Sequence, residues 1–212
     1  MIKRTIYIGN PAYLHLADQQ MDIRDPESDN QKGSIPVEDI GVLVLDHHQV
    51  TITTGLTNAL IENNVALVYC NWQHQPHGLV LPLSQNNTFT EKLRDQLEAS
   101  APLNKQLWKQ TIQQKIKNQE VVLRHFDKQT APMPHFAEKV KSGDPENMEG
   151  RSSYHYWQEM LYPFGVTRKR DGGAPNHLLN YGYAILRAIA ARSLVASGCL
   201  PAVGIHHHNK YK

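Results

Sequence analysis

Two stretches of this sequence carry side chains capable of chemistry. Near the end, Gly204-Ile205 lead into His206-His207-His208. A neutral imidazole nitrogen is a metal ligand. Three consecutive histidines cannot all point one way on a helix or strand, so one or two would face a site. The alternative is a partly exposed polar turn with no ligand role. A leftover affinity tag fits poorly, because the run is short and the chain continues into Asn209-Lys210-Tyr211-Lys212. The second stretch is Asn147-Met148-Glu149-Gly150-Arg151-Ser152-Ser153. A lone Glu near a helix start ordinarily complements the helix dipole. Here Gly150, Ser152 and Ser153 leave room for another element to approach the carboxylate. Tyr154, Tyr156 and Trp157 follow and are expected to anchor the helix in a core.

Basic residues come next. Arg168, Lys169 and Arg170 lie in one loop, and Arg151 lies beside Glu149. Residues 151–212 carry 8 Lys or Arg against 2 Asp or Glu, whereas residues 1–90 carry 4 against 9. A basic end on a chain of net charge +2 suggests a localised surface for a polyanion, with a solvated basic face as the plain alternative. Arg187 and Arg192 are five apart, so they share no tight helical face; at least one is expected to pair or snorkel, and their loss is expected to cost folding. His47, His48, His74 and His77 fall between expected strands without ligand partners at metal spacing, and read as surface residues. Asp46 reads as a turn residue.

These groups need elements to hold them. The first 85 residues are rich in strand signals. Thr5–Ile8 is a β-favouring run closed by Gly9-Asn10-Pro11, with Tyr13–Leu16 as a possible hairpin partner. Val42–Leu45 is continuously apolar, as for a strand buried on both faces, and Val50–Thr53 is expected to pair with it. A short helix is expected over Thr57–Asn64, then strands at Ala66–Cys70 and Gly78–Pro82. Ser84–Thr88 reads as a linker. Beyond it the apolar spacing turns helical, through Leu93, Leu97, Trp108, Ile112, Ile116, Leu123 and Phe126. Thr130–Pro134 breaks the pattern. Asp144-Pro145 signals a helix start, as N-cap and first position, for a helix reaching about Tyr162. A long helix is expected from Asn176 to about Ser197, with Gly198 as its C-cap.

The expected fold class is therefore α+β, with a β-rich domain over 1–84 and an all-α domain over 91–212. Only two cysteines, Cys70 and Cys199, argue for reduced thiols in a cytoplasmic protein rather than a disulfide framework. No apolar run of signal-peptide length opens the chain. The apolar stretch Ala184–Leu200 contains Arg187 and Arg192 and reads as a buried helix, not a membrane span.

Taken in order, these motifs resemble the CRISPR-associated integrase family of spacer acquisition, the "Cas-one" family, in the form found in type II systems. The resemblance runs along essentially the whole chain. It rests on Ile35–Leu45 and Thr53–Leu60, on Glu149-Gly150-Arg151, on Asn176–Leu186 and on Gly204–Asn209. It implies a metal-dependent endonuclease and DNA integrase that inserts spacers into a CRISPR array, part of antiviral defence. Glu149 and His207 would be the catalytic and metal-holding residues, the metal being Mg or Mn. A carboxylate with an imidazole suits Mn well and Mg tolerably. Arg151, Arg168, Lys169 and Arg170 would follow DNA phosphates. The implied partners are prespacer and repeat DNA, a second copy joined through the β-domains, the "Cas-two" protein and the effector nuclease Cas-nine. The family's second carboxylate follows the histidine motif, and no Asp or Glu follows Asp171 here. The expectation is a helical domain incomplete at its end, weak metal binding, impaired integration, and association beyond a dimer. The rival reading is a DNA-binding or assembly subunit, or a fragment, without catalysis of its own.

Overall fold

The computed structural model describes residues 3–82, 86–169 and 172–206. Eight strands come first: β1 (Arg4–Ile8), β2 (Ala12–Ala17), β3 (Gln20–Arg24), β4 (Gln31–Pro36), β5 (Ile40–Leu45), β6 (Val50–Ile52), β7 (Ala66–Cys70) and β8 (Pro76–Val80). Helix α1 (Thr54–Glu62) interrupts them. Five helices follow: α2 (Phe89–Glu98), α3 (Ala101–His125), α4 (Pro132–Lys139), α5 (Met148–Leu161) and α6 (Asn176–Ala196). The α+β order is the one expected. By packing the chain forms two compact units, one of Met1–Arg94 with Leu178–Pro201, the other of Asp95–His177 with Ala202–Lys212.

The strand unit holds two four-stranded sheets, ordered β1-β5-β7-β8 and β4-β3-β2-β6. β5 explains the first. All six of its residues are buried, so both faces must be covered. Parallel neighbours β1 and β7 flank it. Leu43 and Leu45 join Leu56 and Leu60 of α1 and Leu14 and Met21 of the second sheet in one core. Each such burial contributes roughly 1.5–3 kcal/mol. Val42 and Val44 face the other way, with Ala66 and Val68, onto Ala188, Tyr181 and Ile185 of α6.

This arrangement corrects two expected pairings. Residues 5–8 and 13–16 form no hairpin; after Gly9-Asn10-Pro11 the chain passes into the second sheet, where β2 pairs β3 antiparallel. Nor does β6 pair with β5. It is only half-buried, and it lies parallel to β2 on a sheet with that character. Helix α1 starts three residues early because the Thr53 hydroxyl accepts the Leu56 N–H at 3.3 Å and caps it. The expected all-helical domain over 91–212 also differs from the packing, since Leu178–Pro201 groups with the strands. The apolar side of α6 is matched to the outer face of β5 and β7. Its remaining surface exposes Leu178, Tyr183, Leu186 and Leu194. Gly198 follows α6 at φ +80°, the left-handed conformation of a helix-ending glycine. Among the described residues no helix is long and apolar enough to cross a membrane.

The helical unit is built on α3. Ser100 caps it, its hydroxyl accepting the Leu103 N–H. Ile112, Ile116 and Leu123 lie on one face at spacings of four and seven, and pack on Met133 and Ala137 of α4 and Met148 of α5. The expected break at Thr130–Pro134 is present, and Pro132 also opens α4, where its missing N–H costs nothing.

Candidate active site

Glu149 stands in the first turn of α5, and the residues before it fix that turn. The Asp144 carboxylate accepts the backbone N–H groups of Met148 at 2.8 Å and Glu149 at 2.9 Å. The Asn147 side chain accepts the Gly150 N–H at 3.1 Å. Three of the helix's orphan donors are thereby satisfied. A Cβ at position 150 would come within 2.6 Å of the Asn147 amide, so glycine is what lets this cap close. The helix begins at Met148 rather than at Pro145. Asp144 at φ +49° and Asn147 at φ +52° are left-handed, which excludes helix before Met148 and leaves Asp144 capping from outside it. Ser152, fully buried, donates its hydroxyl to the Glu149 carbonyl at 3.0 Å.

The Glu149 side chain is 30% exposed. Its Oε1 accepts from Lys115 Nζ of α3 at 2.6 Å. Seven residues earlier on α3, on the same face and about 10 Å along the axis, the Trp108 indole stacks on the His206 ring. Their centroids are 4.4 Å apart and their planes 8° from parallel. One face of one helix therefore contacts Glu149 and His206, one residue from each stretch that the sequence singles out. His207 and His208 lie outside the described residues. Among those described, no three His, Cys, Asp or Glu side chains converge into a group able to hold a metal. The Lys115 ammonium sits on Glu149, so this carboxylate is already paired with one positive charge.

The basic residues divide. Arg151 follows Glu149 by two positions, about 200° around the helix, and so points to the opposite side of α5. There its guanidinium lies 5.7 Å from the Phe136 ring centre. It lines a groove of about 700 Å³ with Pro132, Tyr154, His155 and Gln158. Tyr154, expected as a core anchor, is 70% exposed on this side, whereas Tyr156 does pack on the core. Arg168 stacks over Trp157 at 5.5 Å and donates to the Lys169 carbonyl at 2.7 Å. Buried Asn176 pins this loop, accepting the Lys169 N–H at 2.8 Å and donating to the Thr167 carbonyl at 3.1 Å. Lys169 is exposed; Arg170 lies outside the described residues.

The strand unit carries a polar cluster that sequence reading passed over. Asp46, expected as a turn residue, is buried at the carboxyl end of β5. It accepts from the Tyr7 hydroxyl at 2.6 Å and pairs with His74 Nδ1 at 3.1 Å. The hydrogen bond to Asp46 raises the Tyr7 hydroxyl above its usual pKa. Burial, with the Asp46 charge second, pushes the Cys70 thiol up to about 12. The available signal was an Asp directly ending an all-apolar strand, a position shielded from water on both sides. His74 and His48 are exposed, as expected of surface residues.

Fold and site define a two-unit α+β protein in which Glu149 of α5 and His206 both contact the long helix α3. The family described as "CRISPR associated protein Cas1" matches residues 6–212, and the chain belongs to that family. It is 36% identical over 212 residues to the CRISPR-associated endonuclease Cas1 of Neisseria meningitidis serogroup C, covering 99% of this chain and 68% of that protein. Its fold is similar to a casposase bound to integration product, with TM-score 0.74 and 19% identity over 98% of this chain and 65% of that one. It is also similar to part of a Cas6-RT-Cas1–Cas2 complex, with TM-score 0.68 and 17% identity over 98% of this chain and 25% of that one. The chain thus spans about two thirds of the length of the first two.

Proposed function

We propose that this chain is a metal-dependent endonuclease and integrase that inserts spacer DNA into a CRISPR array by phosphodiester strand transfer. The observation that carries this reading is the shared face of α3, where Lys115 holds Glu149 and Trp108 holds His206. Glu149 and His207 would hold a divalent Mg or Mn. An ion held there would supply charge compensation at the phosphorus and activation of the attacking 3′-hydroxyl. The chain's own residues supply position. Asp144 and Asn147 fix the turn that presents Glu149. The Trp108 stack fixes the residue next to His207. Lys169, held at the surface by Asn176, and Arg170 would contact phosphates of the DNA. Arg151 and Arg168 would do so from their ring-stacked positions. The likeness to a casposase bound to integration product and to a Cas6-RT-Cas1–Cas2 complex supports DNA and a Cas2 protein as partners. The working unit we propose is a homodimer in the cytoplasm.

A second reading is a DNA-binding or assembly subunit without catalysis. Arg151 and Lys169, exposed cations that can hold phosphate without a metal, favour it. Branched DNA incubated with the protein and Mn²⁺ separates the two. Strand transfer that disappears in Glu149→Ala supports the integrase. Products formed equally by both proteins, or DNA bound but never joined, would sink it.

A further inference from the structure

We infer that Asn176 is a positioning residue for DNA binding: a neutral, buried side chain that fixes the backbone from which Arg168 and Lys169 meet phosphates. The inference rests on the reading of those two cations as DNA contacts. Three observations carry it. Asn176 is 3% exposed, and its amide is committed to the loop before α6. Its Oδ1 accepts the Lys169 N–H at 2.8 Å and Arg168 Nη1 at 3.2 Å, and its Nδ2 donates to the Thr167 carbonyl at 3.1 Å. One buried group therefore holds three consecutive residues. The chain also closes on the amide from its other side. A Cβ at position 172 would lie 2.7 Å from Asn176 Nδ2 and 3.1 Å from its Cγ, too close for a side chain to stand. The amide cannot swing clear without breaking its bonds to the loop. Finally, what the amide holds is the base of the charges and not the charges themselves. Lys169 is exposed, and Arg168 is half-buried over the Trp157 ring.

Ordering a loop on contact with DNA costs backbone entropy at each residue fixed. A loop already fixed when DNA arrives does not bear that cost again, so its cations bind more tightly for the same charge. Asn176 thereby strengthens binding while buried out of reach of any phosphate. A residue that merely supported the fold would act on DNA affinity whether or not the loop carried charge. A positioning residue acts only through Arg168 and Lys169, and its effect vanishes once they are neutral.

Fluorescence anisotropy of a labelled branched DNA, titrated with the full chain in EDTA at several salt concentrations, tests this without any turnover. Arg168→Gln and Lys169→Gln together are expected to weaken binding on the order of tenfold and to flatten the salt dependence by about one to two phosphate contacts. Asn176→Ala and Gly172→Ala remove no charge. Each is expected to weaken binding about two- to five-fold in the parent and to add nothing in the chain that carries both Gln replacements. If melting shows that Asn176→Ala does not fold, Gly172→Ala, which displaces the same amide, decides in its place. Parent-like binding by the deciding variant overturns the inference, as do equal losses with and without the two cations. Parent-like binding by the chain with both Gln replacements overturns the DNA-contact reading beneath it.

Discussion

Asp144 is the residue on which the presentation of Glu149 depends, and its replacement has a calculable cost. Asp144→Ala removes both acceptors from the Met148 and Glu149 N–H groups. Loss of such a cap costs about 0.5–2 kcal/mol. Loss of a negative charge beside the helix N-terminus adds about 0.3–1 kcal/mol. Asp144 is left-handed at φ +49°, a conformation that Asp and Asn tolerate better than Ala, which adds up to about 1 kcal/mol. The total for Ala is about 1–4 kcal/mol. Asp144→Gly loses the acceptors and the charge but accepts the backbone, for about 1–3 kcal/mol, less than Ala by the backbone term. Asp144→Asn keeps one oxygen and the backbone, and loses about 1 kcal/mol. Urea unfolding followed by tryptophan fluorescence, with Trp108 and Trp157 in the helical unit, should rank the variants Asn, Gly, Ala in order of increasing damage. An Ala variant within about 0.5 kcal/mol of the parent would refute both the cap and the strain, and a Gly variant less stable than Ala would refute the strain.

Four further outcomes follow from the packing and the charges. Ile116→Ala empties a fully buried position in the helical core and should cost about 2–5 kcal/mol in the same unfolding assay; a loss below 1 kcal/mol would contradict that burial. Arg192 donates to the Asn64 carbonyl while Arg187 is exposed, so Arg192→Ala should lower the melting temperature and Arg187→Ala should leave it nearly unchanged. The Arg24 guanidinium holds the buried Asp22 carboxyl below its usual range, with Gln31 helping. A depressed folded pKa stabilises above the unfolded value of about 3.9 and stops doing so as pH falls through the lowered one; Asp22→Asn should therefore flatten the fall of the urea midpoint between pH 4 and 2, and an unchanged slope would count against it. With its pKa pushed up to about 12, the half-buried Cys70 thiol should resist iodoacetamide at pH 8, read by peptide mass; rapid labelling there would contradict that shift.

Legibility in the sequence followed how local each cause was. β5 was readable because six apolar residues in a row admit little but a strand covered on both faces. The Gly198 cap was readable for a similar reason. β3 and β4 were not, because Gln20–Arg24 and Gln31–Pro36 mix polar and apolar residues on a half-exposed sheet. The apolar side of α6 was plain, but no periodicity states whether it meets helices or the outer face of β5. Glu149 stood out through the small residues around it, while its partner Lys115, 34 residues earlier, looks like any solvated lysine on a polar helix. Asp46 was missed because a turn aspartate and a buried acceptor look alike until Tyr7 is seen to reach it.

The placement of α6 has a consequence for synthesis. The strand unit is discontinuous: residues 95–177 separate its two pieces. Its first piece can pair β1 with β5 and β7 as soon as those strands leave the ribosome. The valine face of that sheet then has no cover until α6 is made. At about 5–20 residues per second, the intervening 83 residues take roughly 4–17 s. For that interval Val42, Val44 and Val68 lie on a bare, β-branched surface, while the helical unit has time to fold first. A ribosome-bound chain arrested after residue 177 should accordingly bind a hydrophobic dye or a chaperone, and one arrested far enough past residue 201 for α6 to emerge should release it.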